Sequence, residues 1–213
     1  EAYAKPGALI FDREFSGAEV SYGKDLKVKL QAGQMNSDEL VKDKSANYQG
    51  IEMQYTGRFS AGIGYYRLGA NDFTALLKDN KTKMPIWGVN AAYRFDDNNM
   101  LSAAYAYSKD FHMPPMPNKS YQVTYEYKGA EPSDKGSWGA YVAYRQLSGA
   151  SVAPTEDGAM EGTRGFEIGT EYTLFPNVVL TAKYFRGKDL YAPVLKSDKD
   201  KASKLFARVE FFF

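Results

Sequence analysis

Polar and apolar residues change places one by one along most of this chain. In LKVKLQAGQ, Leu26, Val28, Leu30 and Ala32 fall on one side of an extended backbone, and Lys27, Lys29, Gln31 and Gly33 on the other. A period of two marks a strand whose two faces meet different surroundings. IEMQYTGR sets Ile51, Met53 and Tyr55 against Glu52, Gln54, Thr56 and Arg58. YQVTYEYK sets Tyr121, Val123, Tyr125 and Tyr127 against Gln122, Thr124, Glu126 and Lys128. FEIGTEYTL sets Phe166, Ile168, Tyr172 and Leu174 against Glu167, Gly169, Glu171 and Thr173.

Extended along the chain, the pattern predicts eleven strands, near residues 18–23, 26–35, 48–58, 59–68, 86–95, 100–109, 120–128, 137–147, 164–174, 178–187 and 203–213. No helical period is sustained, although NDFTALLKDN (71–80) suits a short helix inside a loop. The connections alternate in length. GKD, TGRF, FDDNN, KGAEPSDKG and LFPN are short, whereas MNSDELVKDKSAN, GANDFTALLKDNKTKMP, DFHMPPMPNK, SGASVAPTEDGAMEGT and LYAPVLKSDKDKAS are long and mostly polar. Short turns at one end and long loops at the other predict an all-β, antiparallel transmembrane barrel of the outer-membrane kind.

Composition sharpens this picture. There are 17 Tyr, 13 Phe and 2 Trp in 213 residues, and they collect at the strand ends. Tyr55, Phe59, Tyr93, Tyr127, Trp138, Tyr172 and Phe213 mark the short-turn end; Trp87, Tyr107 and Tyr184 mark the long-loop end. Two such rows read as aromatic girdles at the interfaces of a lipid bilayer. Mean hydropathy is −0.49, and no apolar run approaches the roughly 18 residues of a transmembrane helix. The net charge of +1, from 27 basic and 26 acidic residues, gives no reason to expect nucleic acid. Cysteine is absent, which excludes disulfides and thiolate metal ligands.

The inward set is Lys27, Lys29, Glu52, Gln54, Arg58, Asn90, Arg94, Glu126, Arg145, Glu167, Glu171, Lys183, Arg208 and Glu210. Charges of both signs suit a hydrated lumen that passes ions and small hydrophilic solutes. The alternative is a set of salt bridges that brace a closed barrel. Gly62, Gly64, Gly139 and Gly169 fall on the same face, where they leave room for neighbouring long side chains. If the 70–83 loop folds inward, Asp72, Lys78 and Asp79 become constriction residues. His112 is the only histidine and lies in a loop, so no nucleophile–base pair is legible. Asp96 and Asp97 lie in a turn, and DDNN lacks the length and order of a calcium loop. No catalytic residue, metal or cofactor is expected.

Strand count and size bear on completeness. Outer-membrane barrels have even strand numbers, so eleven predicts either a twelfth strand from residues 5–13, which Pro6 and Gly7 disfavour, or strands upstream. Twelve strands enclose a radius of roughly 12 Å and sixteen roughly 16 Å; long ionic residues inside favour the larger barrel. GALIFDREFSGAEVSYGKDLKVKLQAGQ and the ending PNVVLTAKYFRGKDL…KLFARVEFFF resemble the porin-type barrel of outer-membrane proteins that carry S-layer-homology domains in diderm Firmicutes. The resemblance implies that residues 1–213 are the C-terminal portion of a barrel of about sixteen strands, preceded by a periplasmic domain and a stalk. It also implies a homotrimer, and recognition of Phe213 by the outer-membrane assembly machinery. The expectation is therefore a porin for passive diffusion in the bacterial outer membrane. The alternative is a structural anchor of little conductance that tethers the membrane to the cell wall through a domain outside this sequence.

Overall fold

The computed structural model describes residues 15–36, 45–75, 77–114, 116–149, 158–190 and 200–213. Eleven strands are present: β1 (Phe15–Tyr22), β2 (Leu26–Asn36), β3 (Ser45–Tyr55), β4 (Phe59–Gly69), β5 (Lys83–Arg94), β6 (Asn99–Tyr107), β7 (Lys119–Lys128), β8 (Trp138–Leu147), β9 (Thr163–Phe175), β10 (Val178–Asp189) and β11 (Lys201–Phe211). They form one sheet in sequence order, and each neighbouring pair is antiparallel. NDFTALLKDN contains two short 3-10 segments, Asn71–Ala75 and Lys78–Asn80. Among the described residues no helix is long and apolar enough to cross a membrane, which leaves spanning by strands open.

Turn chemistry fixes the hairpins. Gly23 between β1 and β2 has φ +103°, and a Cβ there would lie 1.9 Å from the Leu26 carbonyl oxygen. Only glycine fits. Asn177 takes a left-handed φ of 64° between β9 and β10, a conformation asparagine tolerates. Its N–H donates to the Pro132 carbonyl at 2.7 Å, and its carbonyl accepts from the Phe212 N–H at 2.9 Å. β3 ends at Tyr55, three residues earlier than the alternation suggests, and Thr56 N–H turns back to the Asp25 carbonyl at 2.8 Å.

Barrel closure is not found. Among the described residues β1 pairs with β2 alone and β11 with β10 alone, so the sheet has two open edges. The physical reason lies in the count. Eleven strands in strict antiparallel succession leave β1 and β11 pointing the same way, so only a parallel ladder could join them, and none is present among the described residues. The closed barrel of about sixteen strands is therefore corrected to an open antiparallel sheet. Residues 5–13, the candidate twelfth strand, lie outside the described residues.

The sheet nevertheless has an inside. Alternate residues are buried on one face and exposed on the other through β4 to β10. At the long-loop end the inner face is apolar: Met35, Leu68, Ile86, Leu147 and Phe185 pack with Phe73, Leu77, Phe111 and Met116 from the connections. Each such side chain contributes about 1.5–3 kcal/mol when fully buried. This end is filled.

Candidate functional site

The candidate site is the inner face, and it has two polar parts below the apolar fill. The first spans β1 to β4. Lys29 Nζ lies 3.6 Å from Glu19 Oε2 and 3.8 Å from Glu52 Oε2. Gln31 Nε2 donates to Glu19 at 2.7 Å, Tyr48 OH donates to Gln31 Oε1 at 2.7 Å, and Tyr66 OH donates to Glu52 Oε1 at 2.8 Å. The second part centres on β8 and β9. Arg145 Nη2 lies 3.0 Å from Glu167 Oε1, and both side chains are buried. Glu167 also accepts from Tyr141 OH at 2.5 Å and from the Ala159 N–H at 2.6 Å. A buried ion pair held by further hydrogen bonds is the arrangement that offsets desolvation.

Glycine makes both parts possible. Gly64 faces Glu52 across β3 and β4, and a Cβ on Gly64 would strike the Tyr66 hydroxyl at 2.3 Å. Gly169 faces Tyr141 across β8 and β9, and a Cβ there would strike the tyrosine ring at 2.2 Å. Gly50 faces Gln31, with the Tyr48 hydroxyl 2.8 Å from its would-be Cβ. Each inward tyrosine lies over a glycine and carries its hydroxyl across to a polar side chain. Alternation alone placed glycines on this face as space for long neighbours, but it missed Tyr48, Tyr66 and Tyr141. Their signal was present: each is a tyrosine on the polar side of an alternating segment.

The other predicted residues distribute as follows. Glu126, Glu171, Lys183, Arg94 and Arg208 join Arg145 and Glu167 around a recess of about 600 Å³. Arg208 Nη2 pairs with Glu210 at 3.1 Å, and Lys183 and Arg208 lie over the Phe206 ring at 5.7 and 5.6 Å. Asn90 is buried on β5, Lys27 is exposed on β2, and Gln54 Nε2 donates to the Tyr55 carbonyl at 3.1 Å. Arg58 sits in the turn after β3, where it donates to the Arg94 and Phe95 carbonyls at 3.1 and 2.6 Å.

The 70–83 loop does fold inward, with a different chemistry from that expected. Phe73 and Leu77 are the buried residues, while Lys78 and Asp79 are exposed; the Asp72 side chain lies outside the described ones. Leu77 bridges to Phe111, Lys78 N–H donates to the Asp110 carbonyl at 2.9 Å, and Lys81 Nζ meets Asp110 Oδ1 at 2.8 Å. The loop is an apolar stopper clasped to the next loop. His112 is exposed beside it.

On the outer face, Tyr55, Phe59, Tyr93, Trp138 and Tyr172 stand exposed at the short-turn end, and Trp87, Phe166 and Tyr184 at the other. Tyr107 and Tyr127 are half-buried in the same rows, and Phe213 is fully exposed beyond β11. Between them lie exposed Leu30, Ile51, Ile63, Val89, Val123, Val142 and Ile168.

This is a single antiparallel sheet with an apolar exterior and a cross-braced interior. A solved structure described as porin, refined at 1.8 Å, aligns over 100% of this chain and 75% of its own, with a TM-score of 0.55 and 15% identity. The likeness is one of fold. No protein-family model matches the sequence, and no curated protein matches it. The water-filled diffusion channel is corrected by the same sheet: among the described residues β1 and β11 do not pair, and the long-loop half is filled with apolar side chains.

Proposed function

We propose that this chain is a membrane-embedded structural scaffold of the bacterial outer membrane, an anchor and interaction platform that conducts little. The observation that carries the proposal is the opposition of the two faces. Large apolar residues stand exposed along the outside, while the inside is held by ion pairs and an apolar stopper. An exposed apolar face of this extent suits hydrocarbon; the antiparallel ladders satisfy the backbone of the paired strands there, and the open edges of β1 and β11 require cover by further strands or a neighbouring chain. The porin-like fold supports the same location. The role is mechanical: the outer band holds depth in the bilayer, and the inner braces resist shear between strands. The resemblance to S-layer-homology barrels extends the reading to a tether toward the cell wall, a trimer and assembly through Phe213. No catalysis is part of it.

The two tryptophans provide the test, because Trp87 and Trp138 stand one in each aromatic row. In phosphatidylcholine bilayers, lipids brominated near the headgroup are expected to quench both, and planar bilayers are expected to show no discrete current steps. Large regular steps would overturn the scaffold reading. Unquenched tryptophans would remove the membrane from it.

A further inference from the structure

The outer face carries its densest charge on β9 to β11, where its alternation calls for apolar or neutral residues. Arg164 of β9, Lys188 of β10 and Lys201 of β11 are register partners in one row. Arg186 stands two positions from Lys188 along β10, opposite Phe166 and Ser203. All four are exposed and share the outward parity of Phe166, Tyr184 and Leu205. Three adjacent strands thus bring four cations to the long-loop rim of the apolar face, just beyond its aromatic row.

Like charges directly opposite on neighbouring strands repel. Among the described residues compensation is thin: Lys188 lies 3.8 Å from Asp200, with both side chains more than half exposed, and such a pair contributes little. Single outward cations also stand on this rim at Arg67 of β4, Lys83 of β5 and Lys119 of β7, while Ser16, Gln34 and Asn47 on β1, β2 and β3 are neutral; among the described residues only β9 to β11 place three cations in one register row. A local cluster of cations against an apolar, aromatic wall matches one chemistry. Phosphate oxygens take a guanidinium in bidentate fashion and an ammonium as a point charge, while the acyl chains below them lie on Phe166, Tyr184 and Leu205.

We propose that Arg164, Arg186, Lys188 and Lys201 form a binding site for the phosphate of an anionic lipid headgroup in the leaflet on the long-loop side. The proposal rests on the membrane reading above, and the test separates the two. Full-length protein is reconstituted in vesicles of phosphatidylcholine, alone or mixed with phosphatidylglycerol, and retained lipids are counted by native mass spectrometry. Wild-type protein is expected to retain phosphatidylglycerol preferentially. Arg164→Gln/Lys188→Gln/Lys201→Gln is expected to lose about a hundredfold in that affinity, at about 1 kcal/mol for each basic side chain near an anionic surface. The charge-matched Lys24→Gln/Lys78→Gln/Lys135→Gln, at exposed positions elsewhere, is expected to behave as wild type. Equal loss in both triples, or none in the first, overturns the site. Insertion into phosphatidylcholine without phosphatidylglycerol preference overturns the site alone. Failure to insert at all overturns the membrane reading and the site with it.

Discussion

Glu167 concentrates the inner face into one side chain, because it accepts from a guanidinium, a phenol and a backbone amide while almost fully buried. Glu167→Gln keeps the shape and removes the charge opposite Arg145. A broken buried pair costs about 3 kcal/mol or more, and urea unfolding in detergent is expected to show that loss. Gly169→Ala attacks the same cluster from below by pushing on the Tyr141 ring. Overpacking of this kind costs about 1–3 kcal/mol. Because both changes act through Tyr141, Gly169→Ala combined with Tyr141→Ala is expected to cost less than the sum of the two single variants. Additive costs would mean that the ring can move aside freely.

Among the connecting elements, the stopper loop and the β5–β6 turn are held by different means. The stopper depends on burial: Phe73→Ala removes a fully buried ring, which costs about 3–5 kcal/mol. Its clasp is superficial. The hydrogen bond from Lys81 to Asp110 holds the lysine pKa above its ordinary value. Lys81→Met is therefore expected to expose residues 71–82 to protease while global unfolding barely shifts. In the β5–β6 turn, the Asn98 N–H and the Asn99 side chain donate to the Asp96 carboxylate and hold its pKa below the ordinary aspartate range. A depressed carboxylate stabilises the fold above its unfolded pKa, and that contribution disappears as pH falls through the folded value. Asp96→Asn is expected to flatten the acid limb of the stability–pH curve below the ordinary aspartate pKa. An unchanged limb would show that the turn does not contribute to it.

For the molecule as a whole, the outer face sets where it is stable. Val123 stands exposed midway along β7. Val123→Arg is expected to reduce the folded fraction in phosphatidylcholine vesicles, with a cost on the order of 2–4 kcal/mol at the bilayer midplane. Folding yields indistinguishable from wild type would show that β7 does not meet hydrocarbon there.

What the sequence determined by itself was local. Alternation is a backbone property, so the strands, their two faces and the alternation of short and long connections were all legible in the order of residues alone. β4, for example, was expected near 59–68 and runs Phe59–Gly69. Single-strand parity put Arg145 and Glu167 on the same face, but it could not show that they meet, because that depends on the register between β8 and β9. Nor could it show that tyrosines lie over glycines, since the fit joins positions on different strands or turns a side chain along its own. The filling of the long-loop half was hidden for a similar reason. Phe73, Leu77, Phe111 and Met116 lie in connections with no period, and only their approach to Ile86, Leu147 and Phe185 makes them a core. Closure is the last property to be decided, since it depends on whether the two outermost strands meet. Each strand reports its own faces, while an edge is defined by the partner it has in space, and that is a property of the tertiary structure alone.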